Sequence, residues 1–561
     1  MILLAGMAFA MVTAAVQQTP TIDEPVYVGT ATAYLHQHEV RYNPEHPPLA
    51  KLIIATGLAF DRPTLDPGFA GDQSALGRRV LYESGNDPWR VMLLARLPMI
   101  VLTLLFGLVV YGFARDVTGP VGGLLALTLY ALSPDVIAHG SLAGLDVPVA
   151  GFLLVAAWSL WRARRRPVRY LPLAGLALGA ALATKMTALA VTPVLLLLAV
   201  LSVWSATRPG PDGTAPAAAP ERPGTATVTD GPGAGPTDGG SGRPGDAGRR
   251  LALGVGAAAG VALLAVGVVW LSYLAVDPRL RWTPPAGLPT VDGLRALLVD
   301  RLPFPPSYRD GMRVQFGFED TTWGGFLFGQ QYLGSRWYYL PVALLVKTPL
   351  GALALWLVGA VALVALPRLR PAAAYLLMPT AVLLVAAATG SRDLGVRYAI
   401  FVPVFLAVAA AGTLAVRRRW APVAAGLLAL AVAVSTVRAF PYYLPYSNEA
   451  FGGPEKTYLR LHDSNVDWGQ DLGRLADRLR QRYPGERIWL VYKGAGVPSW
   501  YGIDAGDPFS VPPDQVRGVV VVSRTWIDKA DDRLRALIAS STPVDQVGHS
   551  ITIYRRSGRS G

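Results

Sequence analysis

Two adjacent carboxylates, Asp23 and Glu24, follow directly on an apolar stretch from Met1 to about Gln18. Four isolated cations, Arg96, Lys185, Lys347 and Arg397, lie inside or at the ends of later apolar stretches. His46 and Lys51 stand in the polar stretch after the carboxylates, and His139 and Asp146 flank a short turn between two apolar runs. Ionisable groups in such surroundings are costly, so each is a functional candidate by default. Together they supply proton acceptors and cations beside apolar chain. That is the equipment for handling a charged headgroup at a membrane surface.

The elements that position them follow from composition. Hydrophobic residues make up 52% of the 561 and charged residues 16%, well below the roughly 25% charged residues of a soluble domain. Apolar blocks of about 20 residues recur, each long enough to cross a hydrocarbon core. They fall near Met1–Gln18, Met92–Ala114, Pro120–Ala138, Val147–Trp161, Leu251–Ala275, Tyr339–Leu366, Ala372–Thr389, Ala399–Val416 and Ala421–Val437. Tyr170–Ser205 is too long for one span, and the polar break Thr184-Lys185-Met186-Thr187 divides it in two. About eleven spans are expected.

The net charge of +13 would point to nucleic acid in a soluble protein. Here much of it falls in short clusters between spans. Arg162, Arg164, Arg165, Arg166 and Arg169, then Arg249 and Arg250, Arg368 and Arg370, and Arg417 to Arg419 share one side if the spans alternate. The positive-inside rule makes that side cytoplasmic. The N-terminus is then inside, and the candidate residues gather on the outer face. There are no cysteines, which excludes disulfides and thiolate metal sites. Four parts are expected: a transmembrane module with its first outer loop over 1–205, a disordered cytoplasmic linker over 206–250, a second transmembrane module with a large outer loop over 251–438, and an extracytoplasmic α/β domain over 439–561. In the last, Asp471–Arg482 and Asp531–Ser540 read as helices, and Arg487–Tyr492, Val516–Val522 and Ser550–Tyr554 as strands.

Several motifs resemble one family. Asp23-Glu24 after the first span, the loop Asn43-Pro44-Glu45-His46-Pro47-Pro48-Leu49-Ala50-Lys51, and Ser133-Pro134 ahead of Asp146 are similar to the protein O-mannosyltransferase and aminoarabinose-transferase superfamily, the GT-C membrane glycosyltransferases of family 39. So are Trp337-Tyr338-Tyr339-Leu340-Pro341, Lys347-Thr348-Pro349-Leu350 and Gly395-Val396-Arg397-Tyr398. Asp463-Ser464-Asn465-Val466-Asp467-Trp468-Gly469-Gln470-Asp471-Leu472 looks like a tail motif of bacterial members. The resemblance implies an all-α polytopic, GT-C-like membrane domain with a small C-terminal α/β domain, a polyprenyl-phosphate-sugar donor, and inverting transfer to an acceptor hydroxyl of a protein, lipid or envelope glycan. It places the chain in the plasma membrane as a multi-pass protein and implies no nucleic-acid partner. Asp23 or Glu24 would then be the base, since neighbouring carboxylates raise each other's pKa. Arg96, Lys185, Lys347 and Arg397 would bind the donor phosphate as its charge develops. His46, Lys51, His139 and Asp146 would support the site.

Plainer readings stand beside these. Asp23-Glu24 can cap a helix end, and Asp146 precedes Val147-Pro148 as an N-cap would. Arg96, Lys185 and Lys347 can snorkel to the interface. His36, His38 and His46 with Glu39 invite a metal, but alternating histidines also occur on ordinary extended chain. The residues single out no particular cofactor. A divalent cation, magnesium or manganese, held by a carboxylate and the donor phosphate is the metal alternative. Asp467-Trp468 reads either as an acceptor contact or, in preference, as an anchor that fixes the tail to the membrane domain. A transporter or flippase for a lipid-linked sugar is the rival function, because broken helices and intramembrane charges occur there too.

Overall fold

The computed structural model describes residues 1–207 and 244–556. Most of the chain before Ala439 is helical. Among the described residues, six helices are long and apolar enough to cross a membrane: Pro88–Thr118, Pro167–Thr184, Met186–Ala206, Ala247–Val276, Arg370–Ala388 and Ala421–Ala439. Two bent pairs raise the count to as many as eight. Ile2–Gln17 and Phe401–Ala415 are apolar but shorter.

Two expected single spans are broken, for local reasons. Pro120–Ala131 and Pro134–Gly140 meet at 62°. Pro134 cannot donate into the preceding turn, and Ser133 starts a new helix by accepting the Val136 N–H. Tyr339–Lys347 and Leu350–Ala365 meet at 119°, so the expected span Tyr339–Leu366 is a corner. The first helix stops before Thr348, the residue ahead of Pro349, as proline sterics require. Asn448 satisfies the carbonyls that the break frees: its Nδ2 donates to Leu345 and Thr348 at 2.7 and 2.8 Å. The break expected at Thr184–Thr187 is present; Lys185 is extended between a helix and a 3-10 turn.

The stretch Thr19–Pro88, expected to be polar loop, folds into the helices Glu24–His36, Leu49–Leu58 and Gln73–Arg78. One contact shows how it docks. Pro98 lacks the N–H that would bond the Leu94 carbonyl, and Gly57 packs against that carbonyl so closely that a Cβ would sit 1.9 Å from it. Most of the expected linker lies outside the described residues. Its end does not: Arg249 and Arg250 belong to the helix Pro244–Val276.

The hairpin β1 (Gly324–Leu327) and β2 (Gln330–Leu333) lies in the large loop between helices. The tail holds a five-stranded sheet of β3 (Ile488–Val491), β4 (Ala505–Gly506), β5 (Gly518–Ser523), β6 (Thr542–Val547) and β7 (Ile551–Arg556), in the order β4-β3-β5-β7-β6. β3 runs parallel to β5, and β7 antiparallel to it. In β5, Val519 and Val521 meet Leu475 and Leu479 of the helix Leu472–Arg482. Val520 and Val522 face Leu534 and Leu537 of the helix Asp532–Ala539. A strand covered on both faces reads as an unbroken apolar run.

Candidate functional site

Four of the expected residues meet in one alternating chain of charge. Lys185 donates to Asp146 at 2.5 Å. Arg397 lies 3.9 Å from the other oxygen of Asp146 and donates to Asp23 at 2.6 Å. The break after Thr184 frees Lys185 from the helix, Asp146 opens the helix Asp146–Ala163, and Arg397 sits in the 3-10 turn Val396–Ala399. Glycine at 395 takes φ 152°, and a Cβ there would strike Ser464 Oγ at 2.0 Å. Lys185, Asp146 and Arg397 are buried, whereas the Asp23 side chain is 27% exposed. The chain of charges therefore has an open end, and that end is a carboxylate.

Aromatic rings wall this cluster. The Arg397 guanidinium lies 4.4 Å from the Trp468 ring centre and 4.9 Å from Tyr398. Lys185 lies 5.3 Å from Tyr398. His139 packs edge-on against Trp468, and His46 against Tyr27. Burial, then the nearby cation Lys185, holds the His46 imidazole well below its ordinary value, so the ring is neutral. Three polar atoms here are buried without a hydrogen-bond partner among the described residues: Arg397 Nε, His139 Nε2 and His46 Nδ1. Such atoms are costly unless something binds them.

The other expected residues have their polar atoms committed elsewhere. Glu24 turns inward, away from Asp23. Arg96 grips it at 2.8 and 2.7 Å, and the N–H groups of Thr21 and Ala143 donate to it as well. Burial pushes the Glu24 carboxyl up, but Arg96 more than offsets this and keeps it ionised. The remaining Arg96 donors go to the Ala15, Gln18 and Thr19 carbonyls. Arg96 is wholly buried, with no donor turned to an open face. Lys51 folds the first loop, donating to Asn43 and to the His46 carbonyl. Lys347, at the 119° corner, donates to the Leu444 and Asn465 carbonyls at 2.5 and 3.1 Å and lies 3.4 Å from Asp135. It ties the membrane helices to the tail. Lys347→Met is expected to cost roughly 3–5 kcal/mol, because it strands the buried Asp135 charge. A lowered Tm with faster proteolysis after Ala439 would register this; a Tm equal to wild type would refute it.

The tail motif packs against this cluster. Thr19 and Ile22 donate backbone hydrogen bonds to the Gln470 and Trp468 carbonyls, each at 3.0 Å. Asn465 accepts from Val396 N–H and donates to Tyr339. Trp468 and Tyr398 were legible only as neighbours in motifs; nothing in their spacing marks them as walls of a site. Asp467, beneath Trp468, is buried and accepts from Thr525 N–H. Burial pushes its carboxyl up to about 7 despite the opposing pull of Lys493. Burial likewise raises Asp528 to about 8, opposed by Arg524. Both hold protons in the folded tail that an unfolded chain, with carboxyls near 3.9, has released. Their stabilisation is therefore complete below about pH 4 and is lost as pH rises through about 7 to 8. Amide exchange in β5, corrected for its intrinsic pH dependence, is expected to accelerate over that window. Asp467→Asn with Asp528→Asn should flatten the slope, and an unchanged slope would refute the assignment.

Among the described residues, no three His, Asp or Glu side chains gather to hold a metal. His36 Nε2 lies 3.0 Å from the Pro63 carbonyl, apart from His46. A cavity of about 1010 Å³ lies between Trp89, Arg474 and Trp500 and is lined by none of the candidate site residues singled out in the sequence.

These features define a class: a polytopic helical membrane protein whose ion-paired site lies at the ends of its helices, walled by its own sheet-bearing tail. Residues 1–208 match the family model described as dolichyl-phosphate-mannose-protein mannosyltransferase. That match spans less than half of the chain and makes this part similar to the mannosyltransferase family. Three solved structures are similar. ArnT from Cupriavidus metallidurans in the apo state is 14% identical, with 99% of this chain and 97% of that one covered and a TM-score of 0.49. The same protein bound to undecaprenyl phosphate gives 14%, 99%, 97% and 0.47. The Saccharomyces cerevisiae protein O-mannosyltransferase Pmt1-Pmt2 complex bound to its sugar donor is 16% identical over 50% of this chain and 35% of that one, with a TM-score of 0.33. No curated protein sequence matches the chain.

Proposed function

We propose that the protein transfers a sugar from a polyprenyl-phosphate carrier to an acceptor hydroxyl at the outer face of the plasma membrane, with inversion. The observation that carries this is the open-ended chain Asp23–Arg397–Asp146–Lys185. The donor phosphate would lie against Arg397 and Lys185. It would draw Arg397 from Asp23 and give the unpartnered Nε an acceptor. Asp23, released, takes the proton of the acceptor hydroxyl as its oxygen bonds to the anomeric carbon. The bond from that carbon to the phosphate oxygen breaks, and the electron pair leaves with the phosphate, held by the two cations. Asp146 keeps Lys185 and Arg397 in place. Glu24, Arg96, Lys51 and Lys347 hold the scaffold.

The test is a transfer assay on the purified protein in lipid, with radiolabelled polyprenyl-phosphate sugars and cell-envelope acceptor. Label is expected to move to the acceptor, and competition then identifies the sugar. Lipid-linked sugar that crosses the bilayer unconsumed would overturn transfer in favour of a flippase.

A further inference from the structure

A second charged cavity lies at the opposite ends of the helices. Along Pro88–Thr118, Arg96 marks the candidate-site end, and Asp116 is roughly 30 Å further on at 1.5 Å per residue. Around Asp116 is a cavity of about 530 Å³ whose lining includes Arg164, Arg165, Arg166, Arg368, Tyr170 and Ser205. These come from four places in the sequence: the turn after Asp146–Ala163, the first turn of Pro167–Thr184, the end of Thr192–Ala206, and the turn before Arg370–Ala388.

The lining is unbalanced in charge. Asp116 is its only carboxylate, and that is already taken: Arg162 grips both oxygens at 2.6 and 3.1 Å, and Trp158 donates at 2.8 Å. Arg164 is stacked 4.4 Å from the centre of Trp161. Arg164, Arg165 and Arg166 have no carboxylate partner among the described residues, and Arg368 donates to one carbonyl only, that of Ala415. A general bias of positive charge to one side of the membrane does not need a cavity. Arg417, Arg418 and Arg419, just beyond Ala415, satisfy that bias on open surface and line nothing. The volume suits a small ligand, and planar guanidinium forks suit phosphate oxygens.

We propose that this cavity binds a phosphate anion, and that the headgroup of an anionic phospholipid presents it. Its place at the ends of lipid-facing helices favours that source, since basic pockets between such helices capture anionic headgroups.

The test uses the full-length protein in detergent, titrated with phosphatidylglycerol or phosphatidylcholine and followed by native mass spectrometry. Phosphatidylglycerol is expected to be retained in preference to phosphatidylcholine. Arg165→Gln with Arg166→Gln should weaken its retention on the order of tenfold. These two side chains are exposed and bond nothing within the described chain, so folding is spared. Arg417→Gln with Arg418→Gln should leave retention unchanged. Inorganic pyrophosphate separates the sources. Lipid that it fails to displace supports the headgroup, and pyrophosphate that binds in place of lipid supports a free phosphate in the same site. Retention equal to wild type in the first pair, or equal losses in both pairs, would overturn the proposal.

Discussion

Asp23→Asn is expected to lower turnover by roughly 10²–10⁴-fold, the usual worth of a general base. Its fold and donor binding should be nearly unchanged. The side chain is the open end of its cluster and makes one side-chain contact, the hydrogen bond to Arg397. Asparagine still offers that arginine an oxygen, and Asp146 remains 3.9 Å away to hold it. What asparagine cannot do is accept the acceptor's proton. The loss should fall on kcat, with KM within a few-fold and Tm within a degree or two. Turnover within a few-fold of wild type would remove Asp23 from the chemistry.

Arg96→Met is expected to fail in the other way. It leaves Glu24 buried and ionised without its counter-ion, at roughly 3–5 kcal/mol. It also strips donors from three backbone carbonyls, at about 1–3 kcal/mol for each left unsatisfied. Against a total stability of about 5–15 kcal/mol, this is enough to prevent folding. Little monodisperse protein should be recovered. Arg96→Met combined with Glu24→Gln should recover part of the loss, because no buried charge is then stranded. If Arg96→Met folds normally and only raises the donor KM, the residue binds phosphate after all.

The contrast between Asp23 and Glu24 marks what the sequence could carry. Both carboxylates were visible, as were Asp146, Lys185 and Arg397, because charge beside apolar chain is expensive wherever it occurs. Which carboxylate turns inward depends on Arg96, whose partner is 72 positions earlier in the chain, and no local pattern encodes that. Arg96 and Lys347 were visible as cations in apolar chain for the same reason. Their occupation by backbone carbonyls was not, since carbonyls have no identity in a sequence. The bends at Pro134 and Pro349 had their signal in the prolines, but hydropathy averaged across them suggested continuous spans. In the tail, the unbroken valines of β5 announced a buried strand. β6, Thr542-Pro543-Val544-Asp545-Gln546-Val547, did not, because an edge strand can carry proline and charge on its open side.

The stitching of Thr19 and Ile22 to Trp468 and Gln470 has a consequence for how the protein comes into being. Asp23 leaves the ribosome long before the rest of its cluster. The indole that backs its arginine follows more than four hundred residues later, on a segment that must first arrive at the same side of the bilayer. Until it does, Arg397 has no Trp468 to lie against, and the backbone N–H groups of Thr19 and Ile22 lack their acceptors. A half-inserted chain is thus a chain without a finished site. It would present unpaired polar backbone to whatever inspects proteins during insertion.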